Sequence, residues 1–223
     1  KMNKKTIRKI LGGFKSYVPG GLSIHGTGGT DSARYCYTIW LRHLSILYKN
    51  GFTKIPDTIA ELGPGDSIGT GLAGLLSGSK KFYALDVVKH TNIKNNISVF
   101  DELVTLFAKR SAMPDDNEFP RVLPLLASYN FPSEIFTNNN LEKLLDKSRI
   151  QCLRNELVDM EKQKNSIQYM CPWHDPKIIE NDSVDVVFSQ AVLEHVEDLK
   201  NTYDAMYKWV KKGGCISNQI DFE

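Results

Sequence analysis

The chain has 223 residues, 41% of them hydrophobic and 24% charged, with a formal net charge of +2. That length supports one sizeable core, and 28 basic against 26 acidic side chains leave no electrostatic footprint for nucleic acid. No apolar run reaches membrane-span length, no signal peptide opens the chain, and four scattered cysteines without a CxxC pair fit reduced thiols in the cytoplasm.

A basic tail and a glycine-rich loop, Gly20 to Gly29, lead into a predicted helix whose Ile39, Trp40, Leu44 and Leu47 share a face. Asp31 or Ser32 can cap its start, and Gly51 stands where a helix C′ glycine belongs. Thr58 to Leu62 reads as a buried strand, and Ser67 to Leu76 as a helix whose glycines permit close packing. Lys81 to Asp86 is a second strand. Ser98 to Arg110 is an amphipathic helix, with Ser98 and Asp101 in capping-box spacing. Ser111 to Asn139 is rich in proline, asparagine and aromatics and reads as loop, followed by two helices within Asn140 to Gln163. Ser166 to Met170 and Val184 to Ser189 are two further strands. Leu199 to Lys211 is a helix ended by Gly213-Gly214, and Cys215 to Asp221 a fifth strand.

Alternating strands and helices imply an α/β fold: a doubly wound, mostly parallel sheet with helices on both faces. Residues 1–57 form a tail and cap helix, and residues 58–223 the core. A helical and loop insertion at about residues 87–165 exceeds what one crossover needs, as lids, substrate-binding elements or else disordered segments do.

Ligands in such sheets bind beyond the carboxyl ends of the strands. The loop Gly63-Pro64-Gly65-Asp66-Ser67 lies there, and Gly63 and Gly65 let the backbone approach a ligand. A dinucleotide loop wants GxGxxG, yet Ile68 occupies the last glycine position. Glu61 suits a ligand carrying an ammonium and a sulfonium better than a pyrophosphate. The choice falls on S-adenosylmethionine (SAM). Asp86, roughly 20 residues on, suits the ribose hydroxyls of either ligand. His195 is the best-placed base for methyl transfer to oxygen, or else a structural histidine. Cys171 and His174 without a second pair imply no metal site.

ELGPGDS, ALDVV, SVDVVFSQAVLEHVEDL and the glycine pair of VKKGGCIS together resemble the class I, seven-strand SAM-dependent methyltransferases. The resemblance implies that Glu61, Gly63, Pro64, Gly65 and Ser67 surround the methionine part, with Asp86 and Val87 at the ribose and its neighbour. It places Trp173 where adenine packs, so that ring either stacks on the base or packs within the protein. Ser189 and Gln190 are expected to line the methyl-transfer face, and S-adenosylhomocysteine to be the product. His25, Arg34 and Tyr35 precede the sheet, where an N-terminal helix often covers the cleft; Arg34 either binds an acidic group there or lies on the surface.

EFPRVLPLL, SARYCYTIWLRHL and NQIDF resemble a bacterial group associated with surface-polysaccharide genes, which implies a sugar or sugar-substituent acceptor. The family adds two strands after the fifth, whereas this sequence stops at Glu223, so the sheet is expected to be truncated and its far acceptor wall unassigned. Two other readings stand beside this one: an NAD-dependent sugar oxidoreductase, and a non-catalytic SAM-fold binding partner. A nucleic-acid methyltransferase fits less well, because SQAV stands where an NPPY-type motif would. The oligomeric state is open.

Overall fold

The computed structural model describes residues 29–120, 122–160, 165–173 and 175–222. Five short runs form a wholly parallel sheet: β1 (Thr58–Leu62), β2 (Lys81–Leu85), β3 (Ile167–Met170), β4 (Val184–Gln190) and β5 (Val210–Gln219). Their order is β3-β2-β1-β4-β5, the Rossmann-like α/β arrangement. The direction of winding reverses between β1 and β4, which opens a crevice at their carboxyl ends.

The helices are α1 (Ala33–Lys49), α2 (Gly69–Leu76), α3 (Ile93–Ala108), α4 (Asn138–Leu144), α5 (Lys147–Val158) and α6 (Leu199–Trp209). Alternate strand residues separate two cores. Ile59, Phe82, Val186 and Phe188 face a core to which α1 through α5 contribute. Ala60, Leu62, Leu85 and Val187 face a smaller one, closed by Ala205, Met206 and Trp209 of α6. Helices therefore cover both faces as expected, but unequally.

Local chemistry sets the element ends. Ser32 Oγ accepts the Tyr35 N–H at 3.3 Å, and Gly51 follows α1 at φ 94°. α2 lies so close to the sheet that a Cβ on Gly71 would stand 1.9 Å from Phe82, and one on Gly74 2.3 Å from Ile59. Glycine is what permits that approach.

Two expected boundaries move. α3 starts at Ile93 rather than Ser98, because Asn92 is its N-cap and accepts the Asn95 N–H at 2.9 Å. Ser98 lies inside the helix. α6 ends at Trp209, whose buried ring donates from Nε1 to the Pro176 carbonyl at 2.6 Å. The chain passes straight into β5, so Gly213-Gly214 falls within the strand. Val210 pairs with Val184 but Cys215 with Val186, and Gly213 (φ 82°) absorbs part of that irregularity.

Residues 109–137 hold no helix or strand among the described residues. Arg42 of α1, only 1% exposed, organises them. Its Nη1 donates to the Val122 and Pro124 carbonyls at 2.9 and 2.8 Å, and its Nη2 to the Pro114 carbonyl at 3.4 Å. The guanidinium also stands 4.9 Å from the centre of the Tyr129 ring. Among the described residues no helix is long and apolar enough to cross a membrane.

Candidate active site

The carboxyl ends of β1, β2 and β4 converge on a cavity of about 450 Å³ lined by Glu61, Gly63, Gly65, Asp86, Gln190 and His195. Gly63 (φ 63°) and Gly65 (φ 79°) sit in the left-handed region, and Pro64 between them is buried. A side chain at Gly63 would also strike Val192, whose Cγ2 lies 2.7 Å from the Cβ position. Backbone is thus exposed to the cavity where a side chain would have filled it.

Ser67 has a different task from the one expected. It is fully buried, its hydroxyl donates to the Thr30 carbonyl, and it accepts the Gly69 N–H at 3.0 Å. It ties the glycine loop to the entry of α1. Asn96 of α3 accepts the Ile68 N–H at 3.1 Å, so the loop is braced from two sides.

Two carboxylates dominate the electrostatics. Glu61 is 3% exposed, and burial pushes its pKa up to about 8, outweighing hydrogen bonds from Thr70 and the Gly71 N–H. Asp86 is also buried and raised by burial, partly offset by His90 and by the backbone N–H groups of Val87, Val88 and Gly65. Asp86 Oδ1 accepts the Val87 N–H at 2.9 Å. Glu61 Oε2 and Asp86 Oδ2 are buried without a hydrogen-bond partner. Such oxygens are costly unless something polar arrives to meet them.

A second cavity, of about 540 Å³, shares Tyr35, Gln190, Ala191 and Asp221 with the first. The insertion supplies its far wall through Glu118 and Phe119. A double contact holds that wall to α1. Arg34 Nε and Nη2 donate to the two Glu118 oxygens at 2.5 and 2.6 Å, and the Tyr35 and Phe119 rings meet edge to face at 5.5 Å. Ala191, at the junction of the cavities, takes a left-handed φ of 52°.

The structure therefore brings together Glu61, Gly63, Gly65, Asp86, Gln190, His195 and Tyr35. Others lie elsewhere. Arg34, expected either to bind an acidic ligand group or to lie on the surface, lies at the surface with its side chain 37% exposed and paired with Glu118. Ser189 is fully buried within β4 and donates to Asn218 Oδ1 at 2.9 Å, so only Gln190 of that pair faces the cavity. Val87 and Trp173 line a neighbouring cavity of about 660 Å³, and Trp173 packs against Trp209 at 5.5 Å. The Trp173 N–H nevertheless donates to the Asp86 carbonyl at 3.1 Å, which keeps the two cavities adjacent. His25 lies outside the described residues. No group of three or more metal-ligating side chains occurs among the described residues.

Thr30, Thr70, His90, Glu194 and Asp221 also line the first cavity and were not anticipated as site residues. Asp221 ends the predicted fifth strand, where the strand-end rule points. On an α-helix the neighbours Glu194 and His195 would not share a face. Here Leu193–His195 is a 3-10 turn, and Glu194 and His195 border the same space.

Residues 132–217 match the sequence profile of a methyltransferase domain. The matched stretch is methyltransferase-like. It spans α4, α5, β3, β4, α6 and most of β5, less than half of the chain, and leaves the glycine loop outside. A structure from Methanococcus maripaludis, described provisionally as an S-adenosyl-L-methionine-dependent methyltransferase, is 14% identical with a TM-score of 0.41. The alignment covers 86% of this chain and 61% of that one, so this chain spans about 61% of that protein's length. No curated protein matches. The methyltransferase match supports SAM as the cofactor. The two unpartnered carboxylate oxygens and the bare loop fit a ligand with an ammonium, a sulfonium and a ribose diol.

Proposed function

We propose that the protein is a cytoplasmic SAM-dependent methyltransferase acting on the oxygen of a sugar or sugar substituent in bacterial surface-polysaccharide biosynthesis. The observation that carries the donor site is the pair Glu61 and Asp86, buried together with one unpartnered oxygen each at the ends of β1 and β2. The acceptor reading draws support from the three stretches that resemble the polysaccharide-associated group. Tyr35, Glu118-Phe119 and Gln219-Asp221, one set from each stretch, border the second cavity. Its aromatic edges, amides and carboxylates suit a hydroxylated ring.

In this reading Glu61 meets the methionine ammonium, Asp86 the ribose hydroxyls, and the adenine extends toward Val87 and Trp173. When bound, SAM supplies a methyl group activated for in-line displacement. The protein's part is to align the acceptor, shield it and remove its proton. His195 borders the cavity and is the candidate to carry that proton away, directly or from a neighbouring group. His195→Ala is expected to lower turnover about 100-fold for an oxygen acceptor, while binding of S-adenosylhomocysteine stays unchanged. Turnover equal to the wild type would remove His195 from that role. The whole reading is tested by calorimetry with S-adenosylhomocysteine, followed by transfer of labelled methyl to a panel of methyl glycosides and nucleotide sugars. Absence of S-adenosylhomocysteine binding would sink it.

Glu61 adds a pH signature. Its pKa, raised from 4.5 to about 8 by burial, means that the empty folded site holds a proton that the unfolded chain releases. Its contribution to stability is full below about pH 4.5 and is lost as pH rises through 8. A cationic ligand favours the ionised form, so donor binding at pH 7 should expel a proton and tighten as pH rises toward 8. Calorimetry in buffers of different ionisation enthalpy should register that proton, and Glu61→Gln should abolish it.

A further inference from the structure

Glu194 is a third carboxylate in the donor cavity, and its two oxygens are treated differently. Oε1 accepts the Asp221 N–H at 3.2 Å. Oε2 is buried and has no hydrogen-bond partner. Asp221 belongs to the wall shared by the two cavities, so this contact fixes Glu194 beside their junction. Glu61 and Asp86 already answer the ammonium and the ribose, and the sulfonium carries no hydrogen to donate. One anchored carboxylate oxygen is left over, close to where a methyl donor and its acceptor have to meet.

We propose that Glu194 is a catalytic residue: Oε2 accepts the hydrogen of the acceptor hydroxyl and takes that proton during methyl transfer. The assignment rests on the methyltransferase reading above. As the acceptor oxygen's lone pair forms the new carbon–oxygen bond, the carbon–sulfur bond breaks with its electrons going to sulfur. The proton released from oxygen passes to Glu194. His195, the next residue and exposed to solvent, is the exit by which it reaches water. A carboxylate held at one oxygen is a better-oriented acceptor than a ring at the cavity rim, because less of its freedom is lost in the reactive arrangement.

The test compares wild type, Glu194→Gln and Glu194→Asp in the labelled-methyl panel, with S-adenosylhomocysteine affinity measured in parallel. Glutamine keeps the shape and cannot take the proton, so kcat should fall about 100-fold, with donor affinity within about twofold of wild type. Aspartate keeps the carboxylate and should recover part of that loss. Turnover of Glu194→Gln within about threefold of wild type overturns the assignment. So does a parallel loss of S-adenosylhomocysteine affinity, which would make Glu194 a donor ligand. Failure of the wild type to methylate any panel member while still binding S-adenosylhomocysteine overturns the sugar reading and this assignment together.

Discussion

Asp86→Ala is expected to weaken S-adenosylhomocysteine binding about 100-fold, or ~3 kcal/mol, the scale of losing hydrogen bonds to a charged group. Oδ1 is held by the Val87 N–H, which restrains the carboxylate and leaves Oδ2 as the buried oxygen without a partner. The empty protein should respond in the opposite direction. Burial of Asp86 raises its pKa, and Asp86 also raises the pKa of Glu61, so removing it relieves two unfavourable interactions. The variant should unfold at a temperature no lower than wild type while losing ligand affinity. Asp86→Asn keeps the size and one acceptor oxygen and should fall between the two. A variant that loses stability along with affinity would show that Asp86 supports the fold rather than the ligand. Calorimetry and thermal unfolding on the same samples distinguish these outcomes.

Arg42→Leu should produce the largest loss of stability, about 3 to 5 kcal/mol by analogy with breaking other buried charged networks. Leucine fills much of the space but leaves the carbonyls of Val122 and Pro114, reached by Nη1 and Nη2 respectively, buried without their donors. Arg42→Lys should rescue little, because one ammonium cannot span carbonyls that the planar fork reaches from separate nitrogens. A fall in the urea midpoint, with faster amide exchange in residues 114–129, is the expected record. The folded fraction should still bind S-adenosylhomocysteine, since no residue of that segment lines the donor cavity. Wild-type stability in Arg42→Leu would mean that the insertion holds itself in place.

The two outcomes differ in how visible their residues are in the sequence. Asp86 is legible because strand, turn and acid follow one another at a spacing fixed by local geometry. The first two strands and the glycine loop are legible for the same reason. Arg42 is not, because nothing nearby in sequence distinguishes a buried arginine from an exposed one on an amphipathic helix. Apart from Thr38, one turn back, its partners lie more than seventy residues away, in a segment without periodicity. Ser189 misled because a strand end can turn either inward or outward, and its hydroxyl found Asn218. Glu194 was hidden because what places it at the cavity is Asp221, 27 residues away, whose N–H holds Oε1 at the end of the short Leu193–His195 turn. The glycine pair reads as a helix terminator, yet it lies inside β5, where Gly213 eases an uneven register.

The double contact of Arg34 and Tyr35 with Glu118 and Phe119 has an evolutionary consequence. Glu61, Asp86 and the glycine loop fall within one short span, residues 61 to 86, and sit on paired strands and a close-packed helix, braced by Thr30 and Asn96. The opposite wall is assembled from three distant segments, one of them an irregular surface excursion. Loops of that kind tolerate substitution and changes in length far better than the strands and close-packed helix beneath the glycine turn. Selection can therefore reshape what enters the second cavity while the first stays fixed. Relatives that diverge in substrate should differ chiefly around residues 115–125, with compensating changes at Arg34 and Tyr35.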